Sequence, residues 1–306
     1  MKKSTVLSVL SILCFILVLI LYIFSNSVEK NNSVIENGAT PIKIADGFAF
    51  TEGPAVDADG NVFFTDQPND RILKWSLDGE ISVFFEGGRC NGLYFDHKGN
   101  LLACADNKNE LLSIHPDGSY TVLVENYNGY KLNGPNDVWE SPRGFIYFTD
   151  PLYVREYWEL RSRESQQEGE YVYLFLPEQN FLKPVATDLI KPNGIIGTPD
   201  GKRLYVADIG DRKTYVYDIQ EDGTLENKCL FVEKGSDGIT IDESGNIYLT
   251  GDGVSVYNPQ GELIEHIKID APWTANVTFG GEDRKTLFIT ASDALYTIRM
   301  NVAGVN

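Results

Sequence analysis

Histidine is scarce, with three in 306 residues. That leaves little material for a histidine-ligated metal centre or a His-dyad mechanism. His97 and His115 fall in or near turns and His266 in a late strand, so each reads as a surface residue. Cysteine is scarce too: Cys14 lies in an apolar N-terminal run, and Cys90, Cys104 and Cys229 make an odd number, which excludes a disulfide framework. They read as small buried apolar residues, and a Cys90–Cys104 bridge across a hairpin is the one pairing left open. Basic residues are outnumbered 26 to 44 by acidic ones, with a net charge of −18 and a pI near 4.5. A phosphate backbone needs clustered Lys and Arg, so nucleic acid is excluded as a partner. The chain also has no G-x-S-x-G stretch, which removes the nucleophile elbow of serine esterases. Glycine (28) and proline (13) are instead plentiful and spread along the chain, the mark of many short strands and turns.

The N-terminus stands apart. Val6–Phe24 is an apolar run of 19 residues interrupted only by Ser8 and Ser11. At about 1.5 Å per residue it nearly crosses a hydrocarbon core of about 30 Å. Lys2 and Lys3 precede it, which leaves the bulk of the chain outside the cytoplasm. No A-x-A-like site follows, so residues 1–25 read as a single-pass transmembrane helix, with cleavage and secretion as the alternative. Residues 26–40 read as a polar linker and 41–306 as the folded domain.

Six segments repeat one pattern: EGPAVDADGNVFFTD (52–66), NGLYFDHKGNLLACAD (91–106), NDVWESPRGFIYFTD (136–150), NGIIGTPDGKRLYVAD (193–208), DGITIDESGNIYLTG (237–251) and NVTFGGEDRKTLFIT (276–290). Each has a polar start, an apolar strand, a turn and a second apolar strand. Every start lies eight positions before a turn residue: Gly60, Gly99, Gly144, Gly201, Gly245 or Arg284. Successive starts are 39, 45, 57, 44 and 39 residues apart, and two further short strands follow most pairs. Four-stranded units at that period are propeller blades. The expected fold is therefore all-β, a six-bladed β-propeller, with PIKIADGF (41–48) supplying the outer strand of the last blade.

The starts themselves are Glu52, Asn91, Asn136, Asn193, Asp237 and Asn276, and all six offer side-chain oxygen. The innermost strands of a propeller line its central channel, so equivalent positions face one axis. Two carboxylates and four amide carbonyls suit Ca²⁺ better than a soft metal, with Mg²⁺, Mn²⁺ or Zn²⁺ as alternatives. Strand capping and a wet channel are the non-ligating reading of the same residues.

At these residues the chain resembles the regucalcin/gluconolactonase/luciferin-regenerating-enzyme-like family over about residues 44–300. EGPAVDADGNVFFTD, LNGPNDVWESPRGFIYFTDP, KPNGIIGTPDGKRLYVAD and DGITIDESGNIYLTGDG stand in the family's order. The resemblance implies one divalent metal held by Glu52, Asn136, Asn193 and Asp237, and leaves Asn91 and Asn276 to the rim or substrate pocket. Animal regucalcin has an arginine where this chain has Gly134, and the form NGPND is similar to the bacterial gluconolactonase branch.

Opening a lactone requires a polarised carbonyl, an activated water and a stabilised oxyanion. With histidine excluded, the base must be a ring carboxylate. Asp237 is the candidate, and Asp137 beside Asn136 is the runner-up or an orienting group. Asn133 and Arg155 join Asn91, Asp137 and Asn276 as candidate substrate contacts. The insertion PLYVREYWELRSRESQQEGEY (151–171) also offers Tyr153, Tyr157, Trp158 and Arg161 as a pocket wall. The expectation is a Ca²⁺-dependent hydrolase of lactones, sugar lactones above all, attached to a membrane by its N-terminal helix. Two alternatives remain: a phosphotriesterase-like hydrolase on the same site, and a non-catalytic membrane-anchored propeller that binds protein or carbohydrate.

Overall fold

In the computed structural model residues 33–155 and 164–305 are described. The apolar run Val6–Phe24 lies outside them, as do Tyr157, Trp158 and Arg161. Among the described residues no helix is long and apolar enough to cross a membrane. The described chain forms six four-stranded antiparallel sheets. Blades 1 to 5 run in chain order from their inner strands outward. Blade 6 is closed by the N-terminal strand Ile42–Asp46, which pairs with Ala294–Arg299 through Ile42↔Thr297 and Asp46↔Ala294. The expected six-bladed propeller and its closing strand are both present. Residues just before that strand do not run free as a linker. Val34 is buried against blade 6, and its carbonyl accepts the Asn301 N–H at 2.8 Å.

The eight-residue offset has a conformational basis. All six turn residues take positive φ: 98° at Gly60, 82° at Gly99, 75° at Gly144, 66° at Gly201, 80° at Gly245 and 57° at Arg284. Glycine takes that region at no steric cost, which explains five of the six. At the sixth, the Arg284 guanidinium donates to the Asp57 carbonyl at 2.7 Å and so ties blade 6 to blade 1. Around the turns the acids of D-x-x-G-N are used locally. Asp57 accepts the N–H groups of Asp59 and Asn61 at 3.0 and 2.9 Å and the Asn61 amide at 2.7 Å. Asp96 and Asp242 repeat the same bonds in blades 2 and 5. These acids are turn-formers.

Apolar side chains bury themselves between blades. One cluster spans blades 3 to 5 through Trp139, Tyr147, Leu204 and Ile241, and another joins blade 6 to blade 1 through Phe288, Phe64 and Val56. Each blade's stability therefore depends on its neighbours, and the ring must close for the last interface to form. Cys90 and Cys104 are buried within these layers as free thiols, so the hairpin bridge is not made. Cys229 departs from the expected burial and is exposed on the outer strand of blade 4.

Arg284 tests the closure. Arg284→Ala keeps a side chain in the left-handed region and loses the bond to Asp57, and should cost about 1 kcal/mol. Arg284→Gly loses the same bond but relieves about 1 kcal/mol of strain. Thermal melts should therefore rank wild type and Arg284→Gly together, with Arg284→Ala a few degrees lower. Coincident melting of the two variants would show that the strain is not real.

Candidate active site

The starts converge because the inner strands almost touch at the axis. A Cβ on Gly53 would strike the backbone of Asn91 and Gly92 in the next blade, and one on Gly92 would strike Asn136 and Asp137. A Cβ on Gly194 would come within 2.8 Å of the Asp237 carbonyl oxygen. Register slips accompany the approach, between Glu52 and Ala55, Cys90 and Leu93, and Pro192 and Ile195. Such bulges beside a site re-aim the side chain next to them. Threonines at or just past the ends of the second strands then stitch neighbours together. Thr65 donates to the Asn91 carbonyl at 3.1 Å, Thr149 to that of Asn193 at 2.8 Å and Thr250 to that of Ala275 at 2.8 Å.

Of the four residues implied as metal ligands, Glu52, Asn193 and Asp237 interact with one another here. Glu52, Asn136 and Asn193 are buried, and Asp237 is surrounded by protein yet open to the channel. Burial pushes the Glu52 carboxyl well above the usual range, and the nearby Asp237 charge adds to the rise. The Asp237 carboxyl is also raised by burial, against the pull of Trp273, Asn193 and Arg155. Asp237 accepts the Asn193 amide on Oδ1 at 2.8 Å and the Trp273 indole N–H on Oδ2 at 2.6 Å. Asn193 also donates to the Tyr153 hydroxyl at 3.0 Å. With its nitrogen thus occupied, Asn193 keeps its carbonyl oxygen for a ligand. The side-chain amides of Asn91 and Asn136 have no hydrogen-bond partner among the described residues, though both are buried.

Asp137 and Asn276 form a second group beside the first, and the Asp137 charge adds to the rise at Glu52. Asp137 accepts its neighbour's N–H from Val138 at 3.0 Å, receives Ile195 of blade 4 at 3.4 Å and is hydrogen-bonded to Asn276 across the channel. Asn276 in turn accepts the Val277 N–H at 2.7 Å. Burial raises the Asp137 carboxyl to about 8. Its two oxygens are each engaged with the channel wall, Oδ1 by Val138 and Oδ2 by Ile195.

At the rim the Tyr153 ring has two cations over it, the Lys191 ammonium at 4.8 Å and the Arg155 guanidinium at 5.1 Å from its centroid. Arg155 faces both ring acids closely enough to lower each, which places this candidate in the mouth. Asn133 is committed elsewhere. Its amide nitrogen donates to the carbonyls of Asp150 (3.0 Å) and Gly169 (2.9 Å), and its oxygen accepts the Ser165 hydroxyl, so it holds the insertion to blade 3. Sequence reasoning missed Trp273. A tryptophan three residues before a blade start was its only trace. His97 pairs with Glu140 at 2.9 Å at the turn end, and His115 and His266 are likewise off the ring.

Among the described residues no three His, Cys, Asp or Glu side chains gather as a cluster. The donors here are two acids and buried amides. Mutually repelling carboxylates beside unpartnered amide groups fit a hard divalent cation, whose charge would relieve the repulsion.

The fold and mouth thus define a six-bladed propeller with an acid-and-amide ring at one end of its channel. Over residues 50–293 the sequence matches the SMP-30/Gluconolactonase/LRE-like region, and the chain belongs to that family. It is 28% identical over 298 residues to the gluconolactonase of Zymomonas mobilis subsp. mobilis, covering 87% of this chain and 83% of that one. The solved structure of a Xanthomonas campestris gluconolactonase superposes with a TM-score of 0.81 at 28% identity, over 87% of this chain and 91% of its own. A calcium-binding regucalcin from Agrobacterium tumefaciens superposes with a TM-score of 0.70 at 17% identity, over 86% and 94%, a likeness of fold alone.

The Asp137 carboxyl yields a pH test in chelated protein. Folded, it holds its proton up to about pH 8; unfolded, it loses it near the ordinary aspartate value of about 3.9. Between these limits the folded state binds more protons, so stability falls as pH rises. Asp137→Asn removes that fall. Its melting temperature in EDTA should therefore gain on wild type from about pH 5 to about pH 8. An offset independent of pH would contradict the raised carboxyl.

Proposed function

We propose that this chain is a lactone hydrolase acting on sugar lactones, with a divalent cation, Ca²⁺ first among them, held by Glu52, Asn136, Asn193 and Asp237. The observation that carries the reading is the pair of acids, Glu52 and Asp237, facing one mouth beside buried amides. Relatives that are gluconolactonases support the substrate class. The cation, when bound, supplies Lewis acidity toward the lactone carbonyl. Asp237 is the residue to take the proton of the attacking water, because it is the ring acid open to the channel. Trp273 and Asn193 hold its two oxygens and so fix the direction of the lone pair that does so. Glu52, more deeply buried, contributes charge and an oxygen. Arg155 at the rim is placed to meet the carboxylate that hydrolysis creates.

Hydrolysis of a lactone panel by residues 33–306, with EDTA and with Ca²⁺ restored, tests the reading. Activity should vanish on chelation and return with the metal, and Asn193→Ala should weaken Ca²⁺ binding strongly in calorimetry. Asp237→Asn should lower kcat by about 10²–10⁴-fold while leaving measurable metal binding. Glu52→Gln removes the same charge and should lose far less kcat at saturating Ca²⁺. Equal losses would deny Asp237 a role as base.

We also propose that Val6–Phe24 anchors the chain in a membrane with the propeller outside the cytoplasm. Ser33–Glu36 meet blade 6 at its turn end, where the Glu36 N–H reaches the Arg299 carbonyl at 3.1 Å. An anchor there would turn the mouth away from the bilayer. The full chain should resist alkaline extraction and expose its propeller to external protease. Recovery of a mature chain starting near residue 26 would establish cleavage instead.

A further inference from the structure

Tyr153 carries a hydrogen-bond donor at the mouth that remains uncommitted among the described residues. Its hydroxyl oxygen accepts the Asn193 amide at 3.0 Å, and its own hydrogen has no acceptor among the described residues. The ring is contacted by Lys191 and Arg155, and the Lys191 ammonium is itself pinned to the Leu152 carbonyl at 3.2 Å. The hydroxyl is therefore fixed in place by three contacts before any substrate arrives, which is the preorganisation that makes a hydrogen-bond donor effective in a transition state. Asn193 links it to the base: the same amide nitrogen donates to Tyr153 on one side and to Asp237 on the other. The base and the hydroxyl are thus both held within 3.0 Å of the one Asn193 nitrogen.

We propose that the Tyr153 hydroxyl donates a hydrogen bond to the ring oxygen of the lactone, the atom on which charge develops as the acyl–oxygen bond breaks. The inference rests on the lactone-hydrolase reading. In the reaction the water oxygen bonds to the carbonyl carbon, the bond from that carbon to the ring oxygen breaks, and the proton taken by Asp237 is returned to the freed alkoxide. Tyr153 keeps its own proton throughout. Burial, which raises the phenol well above its usual range, suits a group that donates without ionising. An alkoxide leaving group needs that donor, whereas a phenoxide, already stabilised by its ring, needs it far less.

Tyr153→Phe keeps the ring and the cation contacts and removes only the hydroxyl. Gluconolactone, which leaves an alkoxide, and dihydrocoumarin, which leaves a phenoxide, are the paired substrates. The variant should lose about 10²-fold in kcat on gluconolactone, severalfold on dihydrocoumarin, and little in KM on either. Calorimetric Ca²⁺ affinity should stay within a few-fold of wild type. Equal kcat losses on the two substrates, or a loss that follows Ca²⁺ affinity, would reduce Tyr153 to a prop for Asn193 and overturn the proposal. A wild-type protein inactive on both lactones would sink the lactone reading itself. The hydroxyl is then judged by calorimetry with D-gluconate, whose affinity should fall several-fold in Tyr153→Phe; unchanged or absent gluconate binding overturns it.

Discussion

The near-contact of inner strands at the propeller axis is the constraint on which the rest depends. Where Gly53, Gly92, Gly194 and Gly238 stand, a Cβ would meet the next blade within contact range. Removing it lets six strand mouths share a space narrow enough for their preceding side chains to feel one another. Glycine is thus less a turn-former here than an absence that brings Glu52 and Asp237 within electrostatic reach. At blade 3 the equivalent position is Asp137, whose side chain fits because it runs along the channel wall to Ile195 and Asn276. The departure at blade 3 adds a strut across the channel.

The same closeness explains what could be read from the sequence. Turn spacing alone set the register of all six blades, since the left-handed residue at each turn sits at a fixed distance from the axis. From the register followed the ring, and from oxygen-bearing starts followed its chemistry. Arg284 shows why the offset was a safer guide than residue type: an arginine occupies the glycine conformation because its guanidinium bonds the next blade. Gly134 is a second case of conformation deciding residue type. With φ at 149° and its N–H on Asp150 at 2.8 Å, it sits where an arginine side chain would be strained.

The contacts made between blades were not legible. Trp273 reaches Asp237 from the entry to blade 6, and Tyr153 reaches Asn193 from the insertion of blade 3. Neither position repeats around the ring, so periodicity could not mark them. Asn133 is the opposite case. It has the composition of a site residue, but its amide is consumed by the loop it secures. The acids that end the second strands behave in the same way. Asp66 takes the N–H groups of Ala49 and Phe50, and Asp208 those of Ile190 and Lys191, each tying down the segment that leads into an inner strand. In this chain an acid near the mouth is structural when backbone N–H groups surround it, and available for chemistry when they do not.

That distinction bears on stability as much as on function. Glu52, Asp137 and Asp237 all have carboxyls raised by burial, and each is raised or coupled through another's charge. Folding without a counter-charge therefore holds protons that neutral solution would remove, and the cost grows as pH rises. Arg155 offsets part of it from the rim, yet among the described residues its Nε has no hydrogen-bond partner and stands 4.0 Å from an Asp106 oxygen. One arginine cannot serve both ring acids and a substrate at once. A cation that binds only the folded ring would lower the carboxyls, add its binding free energy to stability and release Arg155 toward the mouth. The acids proposed to hold a cation are thus the ones whose burial costs the fold, so cation binding at the ring and integrity of the propeller would be linked through the same two acids.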